Sequence, residues 1–291
     1  MAAGKEEEEE RLETLQNLSV DELGKLVKKI FPWKLAIIGG HVDERADKLE
    51  IWCPSPDTDS VIDDLVRLRL GTAAARLANG SVLIAGGCLS EGCCQLWTPG
   101  QSLHLAAQLP RNRACAALVP FKDTAFLLGG FIKDESGDDL QYRPDDSWTS
   151  IAARPREGHS SPCTAALLDN SIYAQQLWEP QHQLWKYEPA INRWTKTGLE
   201  EELHRLAAFN GQLFAVKKEG EELLRLDPRA GNSLDTVCNF NYQREFGGAG
   251  LVEMDGRLWI VVLQQCSLQC FLTDPSMLLN SEGILTSAAH I

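Results

Sequence analysis

Short apolar runs recur along this chain at nearly even intervals, and turn-forming residues bound each of them. The six runs are Lys34–Ile38, Ser81–Ala85, Thr124–Leu128, Ser171–Ala174, Gln212–Val216 and Arg257–Val261. Runs this short, rich in β-branched and aromatic residues, are typical of strands that are buried on both faces. The pattern therefore predicts an all-β protein.

A second pattern runs in phase with the first, because each apolar run precedes an aromatic or large apolar anchor that is followed by a proline. The anchors are Trp52, Trp97, Tyr142, Tyr187, Leu226 and, in a looser copy, Phe271. They are separated by 45, 45, 45, 39 and 45 residues. A period of this length is typical of radially repeated β architecture.

The residues around each apolar run complete a four-stranded unit. The dipeptides Asn79-Gly80, Asn210-Gly211 and Asp255-Gly256 favour two-residue type I′ hairpins, so each is expected to join a preceding strand to an apolar run. These preceding strands are predicted over 72–78, 115–119, 163–168, 206–209 and 249–254. Beyond the anchor, Trp148 or Trp194 is expected to begin a fourth strand. Four antiparallel strands in 45 residues make one propeller blade.

These residues resemble the kelch repeat, in which an apolar strand ends in a glycine pair and a Tyr, a Trp and an Arg follow. The match is closest at Gly129-Gly130, Tyr142, Trp148 and Arg156, and degenerate copies cover roughly residues 33 to 275. The resemblance implies a six-bladed kelch-type β-propeller over residues 33–291, similar to the C-terminal half of the kelch-like adaptors that carry a BTB domain. We expect residues 283–291 to supply the strand that closes the ring, since the first repeat has no first strand of its own.

Residues 1–32 are predicted to form an acidic, disordered lead-in and one amphipathic helix. Ser19–Glu22 is a capping box, the apolar residues that follow recur at helical spacing, and Pro32 ends the element. The helix is expected to pack on the flank of the propeller. The alternative is an F-box-type adaptor helix, because Leu18–Leu23 faintly resembles the opening of that motif.

Composition narrows the classes of partner. The net charge of −13 without a basic stripe argues against nucleic acid and anionic membrane surfaces. We expect a cytoplasmic protein, or a nuclear one, because the N-terminus is polar and no apolar stretch is long enough to span a bilayer. The nine cysteines form no CxxC pair and are interpreted as reduced thiols, so no metal and no cofactor is expected.

The predicted function is non-catalytic protein binding on loops at one end of the propeller channel. Arginines recur in the loops that link successive blades, where a positive ring could capture carboxylates of an acidic or turn-forming peptide. The candidate binding residues are Arg69, Arg111, Arg113, Arg154, Arg156, His159, Trp178, Arg205 and Arg244. The alternative for each arginine is an ion pair with an acidic neighbour. For Trp178 the alternative is packing over the channel mouth.

Catalysis is the competing hypothesis. Galactose-oxidase-like copper enzymes share a kelch-type propeller, but they need tyrosine and histidine ligands that converge on the metal. Two of the four tyrosines here are repeat anchors, and the six histidines are dispersed. By resemblance to kelch-like adaptors, the protein could also recruit its partner to a cullin-3 ubiquitin ligase complex, although no BTB segment is recognised in this sequence.

Overall fold

A computed structural model describes residues 35–38, 48–52, 59–64, 71–87, 91–98, 101, 103–131, 138–155, 161–177, 182–217, 222–228, 233–239, 249–254, 257–264 and 267–273. All regular elements in these ranges are strands, apart from one 3-10 turn at Pro189–Ile191. The all-β prediction is confirmed. The predicted N-terminal helix, the turn at Asp255-Gly256 and the closing segment 283–291 lie outside the described residues.

The described strands form six antiparallel sheets, and within each sheet every strand pairs with the next one along the chain. The first two sheets contain β1 (Leu35–Ile38), β2 (Lys48–Trp52) and β3 (Asp59–Asp64), then β4 (Ala73–Arg76), β5 (Val82–Ala85), β6 (Cys94–Trp97) and β7 (His104–Ala106). The third and fourth contain β8 (Ala117–Phe121), β9 (Thr124–Leu128), β10 (Leu140–Arg143) and β11 (Ser147–Ser150), then β12 (Cys163–Leu168), β13 (Ser171–Gln176), β14 (Trp185–Glu188) and β15 (Arg193–Lys196). The last two contain β16 (Leu203–Phe209), β17 (Gln212–Lys217), β18 (Glu222–Asp227) and β19 (Ser233–Asn239), then β20 (Ala249–Met254), β21 (Arg257–Gln264) and β22 (Ser267–Thr273).

The repeat pattern places these strands correctly. Strands β12 and β20 have the predicted bounds, and the apolar runs in the second to the sixth sheets are the second strands of their sheets, whereas the first run is β1, the first described strand of its sheet. Anchors Trp97, Tyr142 and Tyr187 lie in the third strands β6, β10 and β14, while Trp148 and Trp194 lie in the fourth strands β11 and β15. The four central sheets thus have the predicted order of four strands.

The first strands of successive sheets lie side by side, with β4 beside β8, β8 beside β12, β12 beside β16 and β16 beside β20. The apolar core is therefore divided into layers between neighbouring sheets. One such layer, between the third and fourth sheets, contains Phe126, Ile172, Tyr187 and Trp194, all at most 8% exposed. Each large side chain of this kind contributes roughly 1.5–3 kcal/mol when fully buried.

Two predicted hairpins differ in their turns. Asn210 and Gly211 have φ of 47° and 73°, as the predicted type I′ turn requires. At the other site only Gly80 has a positive φ, and the Gly80 amide donates to the Leu77 carbonyl at 2.9 Å. The Ser81 amide donates to Asn79 Oδ1 at 3.0 Å, so the Asn79 side chain stabilises a wider turn. The type I′ prediction is wrong for Asn79-Gly80.

A repeated hydrogen-bond unit connects each of two turns to the chain that leaves the preceding sheet. In the fourth sheet, Asn192 Oδ1 accepts from the Tyr187 hydroxyl and from the Ala152 amide, both at 2.8 Å, and Trp194 Nε1 donates to the Ala152 carbonyl at 3.0 Å. Burial raises the pKa of Tyr187 to about 12, so its hydroxyl stays protonated as a donor.

The third sheet repeats the arrangement with Tyr142, Asp146, Trp148 and Ala107. Burial, followed by the hydrogen bond to Asp146, raises the pKa of Tyr142 as well. We refer to these two units as the Tyr-Asx-Trp clips. They explain why the anchor is a tyrosine in these two repeats.

Candidate functional site

The glycine pairs that follow β5 and β9 lie at the same end of the sheets as the segments that lead into the first strands. The Gly87 amide donates to the Arg113 carbonyl at 2.8 Å, and the Gly130 amide donates to the Ser161 carbonyl at 2.9 Å. Each bond joins one sheet to the next. The loops that follow the glycine pairs and the loops that link successive sheets therefore meet on one surface, which we call the Gly-Gly face.

The starts of the first strands are linked to one another on this face. The Cys115 amide donates to the Gly71 carbonyl at 2.7 Å, and the Cys163 amide donates to the Cys115 carbonyl at 3.0 Å. The Leu206 amide continues the series by donating to Thr164 Oγ1 at 2.8 Å. Four successive sheets are thus held in fixed relative positions, which gives any side chain on this face a rigid support.

In the fourth sheet, glutamines replace the glycine pair, and Gln175 makes the connection instead. Its Nε2 donates to the carbonyls of His182 and Glu201, and its Oε1 accepts from the Leu203 amide at 2.7 Å. Gln175 is fully buried. The sequence analysis treated this position only as a degenerate glycine, because nothing in the local sequence shows that a side chain crosses to the next sheet.

Two predicted binding arginines are buried at 3% exposure each, so their assignment to peptide contact is corrected. Arg113 Nη1 donates to the Gly129 and Asp138 carbonyls at 3.2 and 2.8 Å. Arg154 Nη2 lies 3.5 Å from Asp139 Oδ1, and both side chains of that pair have no exposed surface. A buried arginine needs such partners because an uncompensated charge in the interior is costly. Arg113 and Arg154 therefore hold the loops together.

The remaining predicted residues differ in what the structure describes. Arg111 is exposed on the Gly-Gly face, and Arg205 is half-buried, with Nη1 donating to the His204 carbonyl at 3.1 Å. The positions that lie outside the described residues are Arg69, Arg156, His159, Trp178 and Arg244. Their role in partner binding stays a prediction.

The sequence analysis did not single out Phe131 from its loop. Phe131 is 48% exposed beside the Gly130 turn. Its amide and carbonyl both bond to Ala114, at 2.7 and 3.1 Å, so its position is fixed although its ring is partly in solvent. An aromatic side chain on a rigid loop is a common anchor in protein interfaces. Its chemical signal in the sequence, an aromatic residue directly after a glycine pair, could have been noticed.

The part of the Gly-Gly face on the fifth sheet is acidic. Lys217 Nζ lies 3.3 Å from Glu201 Oε1 and 3.7 Å from Glu222 Oε2, and His182 Nε2 lies 3.5 Å from Glu202 Oε2. Carboxylates outnumber the single lysine in this group. A uniformly positive ring is thus not what the described residues form.

The described residues contain no group of three or more His, Cys, Asp or Glu side chains arranged to hold a metal ion. They also contain no helix with the length and apolar character needed to cross a membrane.

Comparison with known proteins supports the fold. No protein-family model matches the chain, and no curated protein matches it in sequence. Among solved structures it is similar to a catalytically inactive variant of virginiamycin B lyase from Staphylococcus aureus with quinupristin. The TM-score is 0.56 at 10% identity, over 82% of this chain and 79% of that chain. That lyase is a β-propeller, and likeness at such identity shows the fold alone.

Proposed function

We propose that this chain is a non-catalytic protein-interaction module that binds an acidic or turn-forming peptide segment on the Gly-Gly face. The observation that carries the proposal is the set of bonds between sheets that makes this face rigid, with Arg111 and Phe131 exposed on it. An arginine pairs with carboxylates through two parallel hydrogen bonds, and an aromatic ring supplies apolar contact.

The proposed architecture is a six-bladed kelch-type propeller preceded by a short N-terminal helix. Its support is the six sheets in chain order, the kelch-like glycine pairs and the tyrosine anchors. Within the described residues the first sheet has strands β1 to β3 and the last has β20 to β22. We propose that residues 283–291 pair beside β1 as the first strand of that blade, which would join the two ends of the chain.

The proposed cellular role is that of a scaffold or a substrate-recognition component in the cytoplasm or nucleus. The resemblance to kelch-like adaptors favours recruitment of the partner to a ubiquitin ligase, and the acidic composition disfavours nucleic acid and membrane partners.

The proposal is tested by affinity purification from cells with the Arg111→Ala variant. Arg143→Ala is the matched control, because Arg143 is also exposed but lies at the far end of β10 from the Gly-Gly face. Loss of a charge-assisted hydrogen bond is expected to weaken partner binding by about tenfold. Equal recovery of partners by both variants would remove the assignment of this face, and stoichiometric copper in the purified protein would favour the oxidase hypothesis instead.

A further inference from the structure

Two buried side chains between the third and fourth sheets carry polar atoms that have no hydrogen-bond partner in the part of the chain that the structure describes. The atoms are Ser161 Oγ and Gln176 Nε2, on residues that are 4% and 3% exposed. A buried polar group without a partner costs free energy, so native proteins keep few of them. Two such groups at one place indicate a site for a bound molecule.

Gln176 is the last residue of β13, and its side chain points toward the third sheet. Neighbouring residues of a strand point to opposite faces, and Gln175 crosses to the fifth sheet. Ala174 and Ile172, which share the face of Gln176, pack in the core layer between the third and fourth sheets. Gln176 therefore lies at the end of this layer that meets the Gly-Gly face.

Ser161 lies at the same end of the layer. Its carbonyl accepts from the Gly130 amide at 2.9 Å. The Pro162 carbonyl accepts from the Leu177 amide at 2.9 Å, which continues the pairing of the two strands beyond Gln176. Ser161 is thus a diagonal neighbour of Gln176, at a separation that a long side chain can bridge.

A charged pair borders these two donors. Arg154 Nη1 lies 3.9 Å from Sγ of Cys163, which is the cross-strand partner of Gln176. Arg154 Nη2 lies 3.5 Å from Asp139 Oδ1. A guanidinium group is therefore present at the same end of the layer as the two donors.

The neighbouring layer, between the second and third sheets, is apolar at the position that corresponds to Arg154. The clip tryptophans donate to the Ala107 and Ala152 carbonyls, and Leu109 and Arg154 each lie two residues further along the chain. Leu109 packs in an apolar cluster. Since a buried ion pair is seldom more stabilising than an apolar contact, the polar residues of the second layer indicate a role other than stability.

We propose that this end of the layer binds a single carboxylate, to which Ser161 Oγ and Gln176 Nε2 donate while the Arg154 guanidinium supplies positive charge. A hydroxyl and an amide donor require an acceptor, and a carboxylate accepts through both of its oxygens. The nearby Asp139 carboxylate disfavours a doubly charged group such as phosphate. The inference rests on the proposed function, because the acidic segment of the partner would supply the carboxylate.

The site is closed to bulk solvent in this structure, since both donors are almost fully buried. A carboxylate has to enter from the Gly-Gly face. There the exposed Phe131 directly follows Gly130, which is bonded to Ser161. An acidic residue beside an apolar residue in the partner would thus contact the site and the Phe131 ring together.

The test uses the purified full-length protein with sodium acetate as the probe, and with sodium chloride and sodium phosphate at equal ionic strength as comparisons. Side-chain amide signals in ¹H–¹⁵N NMR spectra report on Gln176, whose signal is assigned by its loss in Gln176→Met. We expect acetate alone to shift this signal saturably. In Ser161→Ala the apparent affinity for acetate should fall about tenfold. A Gln176 signal that acetate does not shift, or an affinity unchanged in Ser161→Ala, overturns the proposal.

Gln176→Met also separates a ligand site from a purely structural one. Methionine removes a buried donor that has no partner, so the melting temperature in chloride should equal that of the parent or exceed it. An internal water held by Gln176 would make the same substitution destabilising. A lower melting temperature than that of the control Gln101→Met, at an exposed glutamine, would therefore count against the proposal.

Recovery of partners from cells identifies the source of the carboxylate. If the partner supplies it, Gln176→Met should reduce recovery about tenfold, as is expected for Arg111→Ala. Loss with Arg111→Ala alone leaves the proposed function standing and overturns the assignment of a partner carboxylate to this site. Full recovery with both variants removes the proposed function, and a positive acetate result then supports a site for a free carboxylate.

Discussion

Removal of the Asn192 side chain is the perturbation that tests the Tyr-Asx-Trp clips most directly. Asn192 Oδ1 accepts both the Tyr187 hydroxyl and the Ala152 amide. Asn192→Gly deletes this acceptor without backbone strain, because glycine adopts the left-handed conformation that residue 192 has at φ 48°. The measured loss then contains the two hydrogen bonds and the extra freedom that glycine gives the unfolded chain.

The expected loss follows from the two orphaned donors. Tyr187 is 2% exposed, so its hydroxyl has little access to water. Leaving this hydroxyl without an acceptor should lower the free energy of unfolding by about 1–2 kcal/mol. The Ala152 amide is more exposed and should add about 0.5 kcal/mol. Asn192→Ala should lose about 1 kcal/mol more than Asn192→Gly, since alanine is strained in the left-handed region.

The control comes from the chain itself, because Asp146 occupies the equivalent position in the third sheet with φ 56°. Asn192→Asp and Asp146→Asn exchange the two residues and keep the acceptor, so both should leave the free energy of unfolding nearly unchanged. Urea denaturation of each variant supplies the measurement. An Asn192→Gly protein as stable as the parent, or an Asn192→Asp protein as unstable as Asn192→Gly, would refute the proposed role of the clip.

Three further predictions concern other parts of the fold. Gly86→Ala should destabilise the protein by several kcal/mol more than Gly80→Ala in the same denaturation assay. A Cβ on Gly86 would lie 2.3 Å from the Arg113 carbonyl oxygen, whereas a Cβ on Gly80 would meet no atom within 4 Å. The pKa of Tyr187 is about 12 in the folded protein and about 10 in the unfolded chain, so Tyr187 contributes stability below pH 10 that is lost as the pH rises toward 12. The loss in the free energy of unfolding should be on the order of 2 kcal/mol. Tyr187→Phe should reduce this loss in denaturation curves measured at pH 9 to 12. Deletion of residues 283–291 should lower the melting temperature sharply in calorimetry, and an unchanged value would contradict the proposed closure of the ring.

The strands were predictable because their signals are local. An apolar run, a turn and an anchor lie within a few residues of one another, so the sequence around Tyr142 or Tyr187 suffices to place β10 or β14. The turn at Asn79 was wrongly predicted because the dipeptide rule ignores a competing bond, here from the Ser81 amide to the Asn79 side chain.

Contacts between sheets were less predictable from the sequence. Whether Arg113 is exposed depends on the Gly129 and Asp138 carbonyls, which are sixteen and twenty-five residues away. The interpretation of the arginines as a uniform ring treated every arginine in the loops that link the sheets as exposed. The structure shows that neighbouring positions of one such loop differ, since Arg111 is exposed and Arg113, two residues further on, is buried.

The buried arginines support the proposed binding surface indirectly. Arg113, in the segment that leads into the third sheet, donates to the Asp138 carbonyl, and Arg154, which leads into the fourth sheet, reaches back to the Asp139 carboxylate. Asp139 Oδ1 in turn accepts from the Gly129 amide at 2.8 Å. Both ends of the loop that begins at Phe131 are thus fixed by charged groups that solvent cannot screen. In the proposed function, these fixed ends, together with the backbone bonds between Phe131 and Ala114, would reduce the conformational entropy that a partner has to offset on binding.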